Sequence, residues 1–213
     1  MTNDGQLPMM KNMLRSAKQS GFDMNLFHCY ILSDQKEAAA YSTLEFNSIT
    51  IRKLEVILHN MRLDTEVLWI DNDIVLFENC IQDMRRYNAK FVMQDDIWSP
   101  CTGFFLVRSD IFSLKAMNDC IGWLRERSKI KSVNDQHAFT NIYKRTIGLT
   151  VTLLPQDEYP NGSVYFQQDR KSKAKMVHCN YMYTTAEKEQ RLKDNNLWEV
   201  NDEAFDLANK YYI

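Results

Sequence analysis

Glu66-Val67-Leu68-Trp69-Ile70-Asp71-Asn72-Asp73-Ile74-Val75-Leu76-Phe77 is an apolar run interrupted by two carboxylates one residue apart. A run of this kind reads as a buried strand of an α/β sheet. Burying two unpaired carboxylates is prohibitively expensive, so Asp71 and Asp73 are expected at the strand's exposed end with a partner. Hard oxygen ligands suit Mg²⁺ and Mn²⁺, and a divalent cation bridging to a phosphate would satisfy both side chains. The same aspartates can instead cap the next turn or helix, and an Asp-x-Asp taken alone does not decide between the two.

Outward from this run, strands alternate with helices. Pro8 and Gly21 bracket Met10, Met13, Leu14 and Ala17 at helical spacing. Leu26 to Leu32 reads as a strand. Ser48 is placed to cap a helix whose apolar face is Ile51, Leu54, Ile57, Leu58 and Met61. After the Asp-x-Asp run come short strands at Phe91-Val92-Met93 and Phe104 to Val107, joined by the polar loop Gln94 to Pro100. A helix over Ile111 to Arg127 turns Phe112, Leu114, Met117, Ile121 and Leu124 inward, and Asn134 opens another carrying Ala138, Phe139 and Ile142. Late strands are expected at Val151 to Leu154, Val164 to Phe166 and Met176-Val177. The alternation predicts one α/β domain over residues 1–213, with a mostly parallel central sheet flanked by helices. Ligands of such sheets bind beyond the carboxyl ends of the strands, where Asp71 and Asp73 should lie.

Composition narrows the function classes. At 213 residues, 45% hydrophobic and 12% aromatic, the chain can build a substantial globular core. A net charge of −2 gives no whole-protein attraction for nucleic acid or anionic membranes, so a phosphate ligand would be held by local charge. No apolar run reaches membrane-spanning length and no signal-peptide core opens the chain, so a soluble, cytoplasmic protein is expected. The five widely spaced cysteines, Cys29, Cys80, Cys101, Cys120 and Cys179, favour reduced and mostly buried thiols over a zinc site.

Two enzyme readings compete for a strand that ends Asp-x-Asp. Asp71-Asn72-Asp73-Ile74-Val75 fits the first motif of a haloacid-dehalogenase-type phosphatase. That family starts its catalytic core with this strand and needs a second acidic pair several units later. Here Asp95-Asp96 follows too soon, and a long segment precedes the motif.

The second reading takes in most of the chain. Leu68 to Phe77, Cys101-Thr102-Gly103-Phe104-Phe105-Leu106-Val107-Arg108, Asn134-Asp135-Gln136, the segment around Tyr159-Pro160-Asn161-Gly162, and Val177-His178-Cys179-Asn180 follow one another in order. In that order and spacing the sequence, from Thr2 to about Trp198, resembles the nucleotide-diphospho-sugar transferases of the GT-A fold. Within that family it looks similar to glycosyltransferase domains of chlorella-infecting viruses. This implies further domains in a parent protein and, if viral, a place in the host cytoplasm.

The resemblance implies a metal-dependent glycosyltransferase, a hexosyl- or deoxyhexosyltransferase that uses a nucleotide-diphosphate sugar, most simply a uridine-linked one. Its partners would be that donor and a glycan acceptor. Charge grows on a departing diphosphate, so such a site needs a cation there. The resemblance makes Asp71, Asp73 and His178 the ligands of Mn²⁺ or Mg²⁺, and an imidazole nitrogen shifts preference toward Mn²⁺. Asn3, Asp4, Asn72 and Asn180 fall at donor-binding positions. Almost nothing precedes Thr2-Asn3-Asp4-Gly5, where the family has its first strand, which weakens the base pocket more than the metal site. Thr184 and Glu187 form a capping box, so a helix should start there with its amide end toward a diphosphate. Lys53 and Lys188 match family lysines near the donor, although either also fits a solvated helix face.

On the sugar side, Asp95 and Asp96 would bind donor hydroxyls or act as base, and Gly103 would allow close backbone approach. Asp135 and Gln136 match the family's pair facing the transferred sugar, while plain helix N-terminal charge also accounts for Asp135. An inverting enzyme needs one carboxylate as base. A retaining one, toward which the family leans, would use Asp135 or Gln136 to stabilise an oxocarbenium-like centre. Trp98, Tyr159 and Tyr165 are candidates for stacking on sugar or base, or for the core. The rival of a different class is a non-catalytic module that binds nucleotide-sugar or glycan.

Overall fold

The computed structural model describes residues 1–39, 41, 43–127 and 133–213. In chain order the first elements are α1 (Leu7–Gln19), β1 (His28–Ile31), α2 (Leu44–Leu63), β2 (Glu66–Ile70), β3 (Ile74–Leu76), α3 (Ile81–Arg85) and β4 (Phe91–Asp95). They are followed by β5 (Pro100–Arg108), α4 (Ile111–Arg127), α5 (Asp135–Tyr143), β6 (Val151–Leu154), β7 (Met176–His178), α6 (Thr185–Asp194), α7 (Glu203–Leu207) and β8 (Asn209–Tyr212). These elements gather into two compact units. One holds Met1–Ala38, Asp71–Cys80 and Gln156–Ile213, and the other holds Ala39–Ile70 and Ile81–Pro155.

The second unit is built on a four-stranded sheet in the order β2-β5-β4-β6. β5 is antiparallel to both β2 and β4, and β6 is parallel to β4, so three of the four strands point the same way. The expected parallel arrangement is present in the shared direction of β2, β4 and β6, while β5, reversed between β2 and β4, makes two of the three neighbouring pairings antiparallel. The reversal follows from chain length: residues 96–99 can close a hairpin but cannot carry a crossover helix. Phe91, Phe104 and Phe105 are fully buried in this sheet. Phe91 meets Phe105 and the α5 residue Phe139 at ring separations of 5.8 and 4.9 Å.

Helices of this unit depart from expectation at two places. α2 begins before Ser48, because Thr43 is the cap and its hydroxyl oxygen accepts the amide hydrogen of Phe46 at 3.1 Å. Ser48 is an exposed residue inside the helix, whose buried stripe includes Leu54, Ile57, Leu58 and Met61. Phe112 does not turn inward from α4 as Met117, Ile121 and Leu124 do. It covers Gly148, which has a φ of +82° and where a Cβ would lie 2.8 Å from the Phe112 ring.

The first unit contains two small sheets: β1 with β8, parallel, and β3 with β7, antiparallel. Behind β3 and β7, the side chains of Met9, Val75, Tyr165, Val177, Cys179 and Leu192 form one buried cluster. The strand expected over Val164 to Phe166 is instead a short π-helical turn, Ser163–Gln167. Asn161 closes that turn by accepting the Val164 amide hydrogen on Oδ1 at 3.0 Å, a local bond that competes with a strand. α7 and β8 were not expected, since Asn209-Lys210-Tyr211-Tyr212 carries little apolar alternation and gains its pairing only from β1.

Candidate active site

The Asp-x-Asp run is two strands rather than one. β2 ends at Ile70 and β3 begins at Ile74, and Asp71-Asn72-Asp73 makes the turn between them, with the Ile74 amide donating to Asp71 O at 3.3 Å. Asp73 is also not at an exposed strand end. It is 7% exposed, while Asp71 is half-buried. A carboxylate so placed requires compensation, and two side chains supply it. Lys188 Nζ stands 2.6 Å from Asp73 Oδ2, and His178 Nε2 stands 3.2 Å from Asp73 Oδ1.

Register explains the histidine. β3 and β7 pair with Ile74 opposite His178, and the Cys179 amide continues the ladder by donating to Asp73 O at 2.8 Å. The segment Tyr159-Pro160-Asn161-Gly162 supports β7 from its other edge, where Asn161 bridges to His178 and the His178 amide donates to Pro160 O at 3.3 Å. Gly162 N–H donates to Asn180 Oδ1 at 2.8 Å, and a Cβ at Gly162 would sit 2.5 Å from Asn180 O. Only glycine allows that approach. The asparagine of this segment was missed as a positioning residue, although Asn161-Gly162 is a turn signal that could have marked it.

The lysine comes from α6. Thr184 Oγ1 accepts the Glu187 amide at 3.2 Å, and Glu187 Oε2 accepts the Thr184 amide at 2.8 Å, closing the expected capping box. Lys188 follows in the same turn and reaches across to Asp73. Burial alone would raise the Asp73 carboxyl, but the ammonium of Lys188 and then His178 outweigh it and hold Asp73 well below the usual carboxylate range. Burial likewise works against charge on Lys188, and the Asp73 carboxylate overrides it to raise the ammonium above its ordinary value. Burial, with Asp73 adding to it, pushes the neighbouring Cys179 thiol up to about 12.

Asp71, Asp73 and His178 each offer one ligand atom, and these lie within 4.8 Å of one another. Two hard carboxylate oxygens and one imidazole nitrogen form a donor set that fits Mn²⁺ or Mg²⁺. Around them, Asn72 Nδ2 donates to Met1 O at 2.8 Å. Asn3 is buried, donates to Glu37 O at 2.7 Å and accepts the Gln6 amide at 3.1 Å, so its side chain serves the local chain path. Asp4 is exposed in the short turn Asp4–Gln6. Tyr159 is fully buried and Tyr165 packs on Phe77 and Phe166, so both belong to the core rather than to a stacking platform.

The second unit holds the other candidates. Lys53 is a buried residue of α2, pairs with Asp135 at 2.8 Å and lies 5.5 Å from the Trp69 ring centre, so it is not a solvated lysine. Asp135 opens α5 behind its cap Asn134. Gln136 Nε2 donates to Asp96 Oδ2 at 3.0 Å and to Ser99 Oγ at 2.9 Å, which ties the helix start to the β4–β5 loop. Nothing in the sequence marked Ser99. Asp95 Oδ1 accepts the Ile97 amide at 2.9 Å in that loop, whose tip carries Trp98 exposed to 89%. Gly103 is buried within β5, its amide turned to Cys101 Sγ at 3.4 Å.

Residues 11–192 match the family model described as nucleotide-diphospho-sugar transferase. The chain is 27% identical over 223 aligned residues to a UDP-galactose:fucoside alpha-3-galactosyltransferase of Dictyostelium discoideum, across 85% of this chain and 33% of that protein. It is 25% identical to the UDP-D-xylose:L-fucose alpha-1,3-D-xylosyltransferase MGP4 of Arabidopsis thaliana, across 80% of this chain and 55% of that one. The chain thus spans from a third to about half the length of these relatives. Among solved structures, a glycosyltransferase involved in glycosylation of the major capsid of PBCV-1 superposes with a TM-score of 0.63 at 13% identity, covering 91% of this chain and 97% of that one. The galactosyltransferase LgtC superposes with a TM-score of 0.55 at 11% identity, covering 97% and 100%. These likenesses show the fold, an α/β arrangement similar to the GT-A glycosyltransferases.

Proposed function

This chain belongs to the nucleotide-diphospho-sugar transferase family, and we propose that it is a divalent-cation-dependent, retaining glycosyltransferase. The donor is a uridine diphosphate sugar, galactose or xylose, and the acceptor is a fucose-bearing glycan. The convergence of Asp71, Asp73 and His178 carries this reading, since a module that only bound glycan would not need a full set of cation ligands. The cation, Mn²⁺ in preference to Mg²⁺, would neutralise charge on the leaving diphosphate. The donors and acceptors named for the relatives support the sugar assignment. UDP-galactose and UDP-xylose are α-linked donors and those relatives are named for α products, which supports retention.

Each remaining candidate takes a role that its contacts allow. Gln136 directs its amide nitrogen to Asp96 and Ser99, so what it presents to a sugar is its carbonyl oxygen, suited to a developing oxocarbenium centre. Asp135, paired with Lys53, holds that helix start in place rather than acting as a free base. The five cysteines are buried thiols outside any disulfide, which supports a reducing compartment. Among the described residues no helix is long and apolar enough to cross a membrane.

The experiment is incubation with UDP-galactose or UDP-xylose and a benzyl α-L-fucoside, with Mn²⁺ or with EDTA, and product analysis by NMR. An α-linked disaccharide formed only with Mn²⁺ is expected. Binding of UDP with neither transfer nor donor hydrolysis would return the chain to the class of binding modules.

A further inference from the structure

We propose that Lys188 is an internal competitor for the cation site, and that a diphosphate relieves this competition by giving the ammonium another partner. The inference rests on the cation reading of Asp71, Asp73 and His178, and concerns what already neutralises that site. Both oxygens of Asp73 are engaged, Oδ2 by Lys188 Nζ at 2.6 Å and Oδ1 by His178 Nε2 at 3.2 Å. A divalent ion held by His178 Nε2 and the Asp73 oxygen beside it would share the Asp73 carboxylate with the ammonium on Oδ2, so each would weaken the other's hold on that group. Two like charges sharing one buried carboxylate also repel each other, and water screens them little there.

Lys188 is the more exposed partner of the pair. Lys188 keeps 26% of its side chain exposed on the first turn of a helix, while Asp73 keeps 10% and is pinned by the Cys179 amide at its carbonyl. A cation arriving alone would weaken the Lys188–Asp73 ion pair and bring no new counter-charge for the ammonium. A cation arriving with a diphosphate brings two or three negative charges, and the ammonium pairs with them. Lys188 thus makes cation and diphosphate binding mutually reinforcing, and the reinforcement is reciprocal by linkage. Direct contact between cation and phosphate adds to the coupling, but that part does not depend on Lys188.

The test is Mn²⁺ affinity measured by electron paramagnetic resonance, with and without UDP, for the wild-type chain, Lys188→Met and Lys188→Arg. Without UDP, Lys188→Met should bind Mn²⁺ tighter than wild type by on the order of tenfold or more. Lys188→Arg, which retains the charge, should stay near wild type. The factor by which UDP enhances Mn²⁺ affinity should be smaller in Lys188→Met than in wild type. Mn²⁺ binding that Lys188→Met leaves unchanged, with the same UDP enhancement, overturns the competition and leaves the cation site standing. Wild-type protein that binds no Mn²⁺ even with UDP overturns the cation site itself, and the competition with it. Circular dichroism of each variant confirms that the fold is retained.

Discussion

Lys53 Nζ stands 2.8 Å from Asp135 Oδ2, and neither side chain exposes as much as a tenth of its surface. The pair links α2 to the start of α5 within one unit, with the Trp69 ring flanking the ammonium. Removing one partner strands the other as a buried charge, which costs about 3–5 kcal/mol. Lys53→Met should therefore lower stability by about that much. Lys53→Met combined with Asp135→Leu should cost less than the sum of the two single changes. Urea midpoints for the four proteins measure this coupling, and additive losses would mean that the pair is not a functioning ion pair.

The cation ligands should act as a unit. Asp73→Asn and His178→Ala should each remove most transfer, and the double variant should be scarcely worse than either, since groups serving one step are strongly non-additive. Initial rates with a saturating donor provide the comparison. Losses that add in free energy would detach His178 from the site.

Acid should weaken the start of α4 through Asp110. Its carboxylate accepts the Phe112 and Ser113 amides at 3.0 and 2.9 Å and pairs with Lys90. Burial alone would raise this carboxyl, but those bonds outweigh it and set it below its ordinary value. A group depressed in the folded state contributes stability above its unfolded pKa, near 3.9, and loses it as pH falls through the folded value. Asp110→Ala should cost about 1 kcal/mol at pH 7, as loss of a helix cap does. The gap to wild type should close below about pH 4. A gap that is independent of pH would show that the charge plays no part.

The thiols should be silent in the native protein. All five cysteines are buried, and Cys179 sits beside Asp73 with its thiol pushed up to about 12. A thiol needs its thiolate to react. Titration with a disulfide reagent at pH 8 should therefore find none reactive before unfolding and all five after it. Rapid native labelling of Cys179 would contradict the packing around β7.

Where the sequence was legible, the signal was local or periodic. The helix Ile111–Arg127, the strand Val151–Leu154 and the capping box at Thr184 follow from apolar spacing and cap chemistry within a few residues. The Asp-x-Asp run misled because its apolar letters continue through a turn: Ile70 and Ile74 are both buried but in different sheets. Val164 to Phe166 reads as a strand by composition, and only Asn161 capping the Val164 amide shows why it coils. The pairing of Lys188 with Asp73 joins residues 115 positions apart and depends on how α6 is placed, which no local pattern encodes. Resemblance supplied His178 and Lys188, whereas the contacts that hold them had to be seen.

In the proposed function, Asp71, Asp73 and His178 hold a cation to which a nucleotide diphosphate binds. The most direct test is a thermal melt of the wild-type chain with UDP, in Mn²⁺ and in EDTA. A ligand at a hundredfold excess over its Kd adds about 2.7 kcal/mol to the native state, which a melt resolves easily. UDP should raise Tm clearly in Mn²⁺ and little or not at all in EDTA. Equal shifts in the two conditions, or no shift in either, would contradict it.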